Sequence, residues 1–204
     1  MKYFVHNAGI IGNTLREIKE RTADAAVLAG RGGVVVLLSG INDMLYPGHI
    51  TTLDEYGENL RSVVGEIQNY GHGTVLAAVP AIDTEKYFAA YPDTPVMDPA
   101  SALAAADCTV REVAAESACR IWDIRRVLGD NAAFRLEDGM HLSAAGALAA
   151  AEALAPIVRR LIPEGGDIVC LGDSLFYGPW LKGRGKAEPD GETIPSRLAF
   201  ILNG

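Results

Sequence analysis

Ile168-Val-Cys-Leu171, an apolar run cut off by Gly172-Asp173-Ser174, constrains this chain more than any other stretch. Four consecutive apolar residues with no polar alternation predict a strand buried on both faces, as in the middle of a parallel sheet. The glycine then allows a tight turn, which leaves a small hydroxyl residue at the carboxyl edge of the sheet, where open α/β sheets bind their ligands. A serine there fits two roles, helix N-cap or nucleophile. The rest of the chain has to decide between them.

Further strands are expected at Tyr3–Val5, Val34–Leu38, Thr74–Val79 and Arg120–Ile124, with Ile168–Leu171 as the fifth. Helices are expected at about 14–28, 53–70, 101–118, 143–162 and 193–202, from apolar spacing and from Ser143 as an N-cap. Residues 81–99, with three prolines, read as irregular beside a short helical piece. Alternating strands and helices predict a three-layer α/β/α fold around a five-stranded parallel sheet. At 204 residues the chain is expected to be a single domain, 1–204.

In such a sheet the turns after the strands face one another at one edge. Four carry chemistry: Gly9 to Gly12, Gly40 to Asp43, Asp138 to His141 and Gly172 to Ser174. Ser174 could attack a carbonyl, His141 could take its proton, and Asp138 could fix the imidazole tautomer. The Ser174 and Gly12 backbone N–H groups and the Asn42 side-chain amide could stabilise an oxyanion. Each piece alone has a plain structural explanation in turn chemistry; their convergence does not. Asp173 reads as support for the serine loop, and His6, His49 and His72 as solvated histidines. Expected wall residues for a substrate are Tyr177, Trp180, Met44 and Tyr87.

These blocks resemble those of the SGNH, or GDSL-type, hydrolases: Gly172-Asp-Ser-Leu175, Asn7-Ala-Gly-Ile-Ile-Gly-Asn-Thr14, Gly40-Ile-Asn-Asp43 and Asp138-Gly-Met-His141. The resemblance implies a Ser174-His141-Asp138 triad, an oxyanion hole of Ser174, Gly12 and Asn42, a flavodoxin-like sheet, and neither metal nor cofactor. It implies a serine hydrolase of carboxylic esters or thioesters, with a carbohydrate O-deacetylase as the alternative within the family. The alternative outside it is a non-catalytic flavodoxin-like binding protein. The block order departs from the family, because here the serine block comes last. Moving 167–204 ahead of Met1 restores the order, which implies a circular permutation. The strand order should then be 1-5-2-3-4, with the C-terminal strand central and Met1 beside Gly204.

The net charge of −8 with no basic block argues against a nucleic-acid partner and leaves a small-molecule ester or thioester. The short apolar run at the N-terminus and the lack of any run near ~20 residues argue against a signal peptide and membrane insertion. Three cysteines without metal-like spacing point to the cytoplasm. A phosphate-binding loop at Gly183-Arg-Gly-Lys186 is excluded by its spacing. A metal hydrolase using Asp43, Asp138, His141 and Asp173 is a rival that chelation would test.

Overall fold

The computed structural model describes residues 2–204. In chain order the elements are β1 (Lys2–Gly9), α1 (Leu15–Glu20), α2 (Thr22–Leu28), β2 (Val34–Leu37), α3 (Ile41–Leu45), α4 (Leu53–Asn69), β3 (Gly73–Ala77), α5 (Thr84–Ala90), α6 (Pro99–Glu116), β4 (Arg120–Trp122), α7 (Ile124–Leu128), α8 (Ala144–Leu161), β5 (Gly165–Gly172), α9 (Ser174–Tyr177) and α10 (Ile194–Asn203). A short 3-10 turn, Ala132–Phe134, precedes α8.

The strands pair in parallel in the order β1-β5-β2-β3-β4, so the C-terminal strand is central, as expected. Ile168 to Leu171 and Val34 to Leu37 are buried throughout, which explains their unbroken apolar character. Helices α1, α2, α4 and α6 cover one face, while α8 and α10 pack together over the other side of the fold, α10 against β1 and α8 against β4. Helix α4 buries the stripe Tyr56, Leu60, Val63, Val64 and Ile67. In α8, Ala147, Ala150, Ala151 and Ala155 form the buried face, and their small size permits a close approach.

Strands β3 and β4 end two residues earlier than expected, β4 because Asp123 caps α7, and three further boundaries differ for identifiable reasons. Strand β1 runs to Gly9, through His6 and Asn7, because it pairs with β5 along its whole length and an edge strand can carry polar side chains. The expected 14–28 helix is broken at Arg21, which leaves helical geometry at φ −117°, ψ 13°. Strand β5 starts at Gly165, inside the segment expected to be a linker, since that stretch is already paired to Lys2 and Tyr3.

The outer edge of β1 is closed by the other end of the chain. Asn203 Oδ1 accepts from the Tyr3 N–H and Asn203 Nδ2 donates to the Tyr3 carbonyl, both at 3.0 Å. One side-chain amide thus imitates a neighbouring strand. Met1 lies outside the described residues, and so does its expected contact with Gly204.

Strand β5 hydrogen-bonds to two neighbours, so a chain ending at Ile162 should show no cooperative thermal transition in far-UV circular dichroism. A relinked chain, with 165–204 moved ahead of Tyr3 through a short linker, should keep the native spectrum. A cooperative melt in the truncated chain would contradict the central role of β5.

Candidate active site

Strand β5 ends at Gly172, and the next two residues cap and open α9. The Asp173 side chain accepts from the Leu175 N–H at 2.9 Å, as an N-cap does, and Ser174 is the first helical residue. This stiff turn directs Ser174 toward the segment 134–143. That segment folds back on itself: Leu136 N–H donates to the His141 carbonyl at 2.8 Å and Ser143 N–H to the Phe134 carbonyl at 3.0 Å. At its tip Gly139 has φ +71°, and a Cβ there would lie 2.5 Å from the Asp83 carbonyl oxygen, so only glycine fits.

The turn brings Asp138, His141 and Ser174 into line. His141 Nδ1 lies 2.6 Å from Asp138 Oδ2, and His141 Nε2 lies 3.0 Å from Ser174 Oγ. Asp138 Oδ1 also accepts the backbone N–H groups of Met140 and His141 at 3.0 and 2.9 Å. Burial alone would raise this carboxyl, but the hydrogen bonds from His141 and these N–H groups outweigh it and hold the pKa at about 2. An ionised carboxylate can only accept. Nδ1 therefore carries the hydrogen, and Nε2 is left to accept from the serine hydroxyl. The arrangement can move a proton from Ser174 Oγ to imidazole.

Asn42 and Gly12 come from the two adjoining loops. Asn42 Nδ2 donates to the Asn13 carbonyl at 2.9 Å, next to Gly12, which has φ +77°. Among the described residues, neither the Gly12 nor the Ser174 backbone N–H makes a hydrogen bond, so both are free donors. Asp43 joins the loops from below, accepting the Leu15 N–H at 2.7 Å and the Gly40 N–H at 3.0 Å. With Asp138 and Asp43 both committed to N–H donors, the acidic residues are poorly disposed toward a cation. Among the described residues no group of three or more His, Cys, Asp or Glu side chains could hold a metal ion.

The four expected wall residues separate. Tyr87 lines a cavity of about 270 Å³ together with Asn42, Leu45, Tyr91 and Met140, so this cavity adjoins the Asn42 side of the site. Trp180, 61% exposed, presents its ring to His141 with centroids 4.3 Å apart and an interplanar angle of 63°. Met44 instead packs in the core at 5% exposure, because α3 turns it inward. Tyr177 packs against the Gly185 loop, its ring carbons about 3 Å from where a Gly185 Cβ would sit and its carbonyl accepting the Gly185 N–H. Sequence reasoning missed Arg21 and Asn13. Arg21 bonds to backbone carbonyls 13 and 151 positions away, a relation with no local signal.

The model of the GDSL-like lipase/acylhydrolase family matches residues 2–149. The chain belongs to this family. Solved structures with the same fold include a lipase/acylhydrolase from Enterococcus faecalis, 18% identical with a TM-score of 0.60 over 80% of this chain and 97% of that one. Another is the acetylxylan esterase Axe2 from Geobacillus stearothermophilus, 24% identical with a TM-score of 0.55 over 72% of this chain and 68% of that one. A third is the acetyl xylan esterase AlAXEase, 19% identical with a TM-score of 0.57 over 74% and 79%. Comparison with curated protein sequences returned no match.

Two other carboxyls shape the site's response to pH. Burial, aided by a neighbouring negative charge, outweighs the backbone N–H hydrogen bonds at each and raises Asp173 to about 7 and Asp43 to about 6. Between the ordinary carboxyl value of 3.8 and these raised values, the unfolded chain has released protons that the folded chain keeps. Stability therefore falls as pH rises through this window and levels off above about 7. Asp138 acts in the opposite sense, adding stability that is lost as pH falls from 3.8 toward about 2. Asp173→Asn should flatten the fall in melting temperature between pH 4 and 8; an unchanged slope would contradict the assignment.

Proposed function

We propose that this family member hydrolyses small carboxylic esters or thioesters through an acyl-enzyme on Ser174. The observation that carries the reading is the unbroken Asp138–His141–Ser174 relay at 2.6 and 3.0 Å. Ser174 Oγ attacks the carbonyl carbon and its proton passes to His141 Nε2, while Asp138 stabilises the imidazolium through Nδ1–H. The carbonyl oxygen becomes an oxyanion that accepts from the Ser174 and Gly12 N–H groups and from the second N–H of Asn42 Nδ2. Collapse breaks the bond to the leaving group, which takes the proton from His141. Water, deprotonated by His141, then attacks the acyl carbonyl; collapse breaks the Ser174 Oγ–acyl bond, releases the carboxylic acid and returns the proton from His141 to Ser174 Oγ.

The Asn42-side cavity has mainly apolar walls, including Leu45, Tyr87, Tyr91 and Met140, which supports an acyl or aryl group as the substrate's bound part. Trp180 supports a second reading, a carbohydrate O-deacetylase: its exposed indole stands beside the histidine that protonates the leaving group, where a sugar ring could stack. A binding protein without chemistry leaves the relay without a purpose.

In this reading the chain is a single domain, 1–204, in which 167–204 is the family's usual N-terminal segment relocated by circular permutation. The central position of β5, the Tyr3–Asn203 pairing and a family match that stops before Ser174 all support this.

A p-nitrophenyl ester series, acetate through palmitate, tests the reading. Ser174→Ala should lose nearly all rate enhancement, on the order of a millionfold in kcat as in a well-studied serine protease. Asn42→Ala should lose roughly a hundred- to a thousandfold. The chain-length optimum sizes the acyl cavity, and activity confined to acetylated sugars would favour the second reading. Activity retained in Ser174→Ala would overturn the mechanism.

A further inference from the structure

The break in the helix at Arg21 has a use. From this position the guanidinium turns back beneath the site, and Nη1 donates to the Ala8 carbonyl at 2.6 Å, Nη2 to the Gly172 carbonyl at 2.7 Å and Nε to Asn13 Oδ1 at 3.0 Å. The acceptors belong to the end of β1, to the end of β5 just before Asp173-Ser174, and to the loop that carries Gly12. The Gly172 carbonyl also accepts the Ile10 N–H at 3.0 Å, a second tie between that loop and β5. Asn13 passes the constraint on, since its backbone carbonyl takes one N–H of Asn42 Nδ2 at 2.9 Å.

A guanidinium presents its donors in a rigid plane, so it fixes three acceptors relative to one another; an ammonium cannot. A side-chain amide nitrogen is also planar. Once one of its hydrogens is held by a carbonyl, the direction of the other is set. A carbonyl only accepts, so Asn13 also decides which end of the Asn42 amide carries nitrogen.

We infer that Arg21 and Asn13 are positioning residues for the oxyanion site. Arg21 locks the Asn13 loop to the end of the serine-bearing strand, and the Asn13 carbonyl aims the free N–H of Asn42. This rests on the serine-hydrolase reading given above.

The test is a set of variants assayed on p-nitrophenyl butyrate: Ser174→Ala, Asn42→Ala, Asn13→Ala, Arg21→Lys and the double Asn13→Ala/Asn42→Ala. Asn13→Ala and Arg21→Lys should each lower kcat roughly ten- to a hundredfold, the scale of a small misplacement of a reacting group, with KM changed by less than about twofold. The deciding readout is coupling. Asn13→Ala keeps the carbonyl but frees its loop from Arg21 Nε, so in the Asn42→Ala background its loss should shrink well below its loss in the wild type, with only the Gly12 N–H left to displace. A general loosening of the fold would instead add its full loss to that of Asn42→Ala.

Additive losses, or an unchanged kcat in Asn13→Ala, overturn the inference while leaving a Ser174-dependent activity in place. Activity that survives Ser174→Ala overturns the underlying reading and the inference with it. If Arg21→Lys gives no cooperative melt, Asn13→Ala decides alone, since it removes only one half-buried side chain.

Discussion

The structure depends on a buried strand whose backbone must be paired on both sides. Strand β5 meets this by lying between β1 and β2, in register from Lys2↔Gly165 to Gly9↔Gly172 on one side and from Val34↔Ile168 to Leu37↔Leu171 on the other. Buried N–H and C=O groups left unpaired would cost more than the fold can recover. The pairing therefore sets where β5 stops, and that stop sets where Ser174 stands. The ends of β1 and β2 fall level with it, so the Gly12 and Asn42 loops leave the sheet beside the serine. The site's placement follows from strand register, and its detail from the turns.

Much of this was legible in the residues. Ile168–Leu171 and Val34–Leu37 announce themselves because a strand buried on both faces tolerates no polar residue, and the four edge turns each hold distinctive chemistry. The strand order β1-β5-β2-β3-β4 is the one expected when the serine block is read as the family's first block. The illegible parts are those whose partners are backbone groups far along the chain. Arg21 looks like one more polar residue on a surface helix, yet its acceptors are the Ala8 and Gly172 carbonyls. Met44 looks like a wall residue by proximity to Asn42, but one short helix, α3, turns it into the core. Tyr177, at the end of the four-residue α9, lies against Gly185, a contact with no periodic signal. Short helices are set by caps and packing more than by periodicity, so they leave little trace in sequence.

The site is built from expensive parts. Asp173 and Asp43 are buried close enough to repel one another, and Asp173 attracts the Arg21 guanidinium. Removing these groups from water costs stability, and that cost is met by backbone N–H donors and by the surrounding core. What the cost secures is rigidity. Asp43 ties α1 to the Gly40 turn and Asp173 caps α9, while Asp138 holds the His141 turn by its own backbone. In the proposed mechanism, the groups that meet a reacting carbonyl are thus held before it arrives, which is where electrostatic catalysis draws its advantage.

The most direct test is peptide mass spectrometry after brief exposure of the native protein to a fluorophosphonate. The account predicts a single phosphonyl adduct on Ser174, slowed strongly in His141→Ala and absent in Ser174→Ala. Modification at another residue, or no modification of the folded protein, would contradict it.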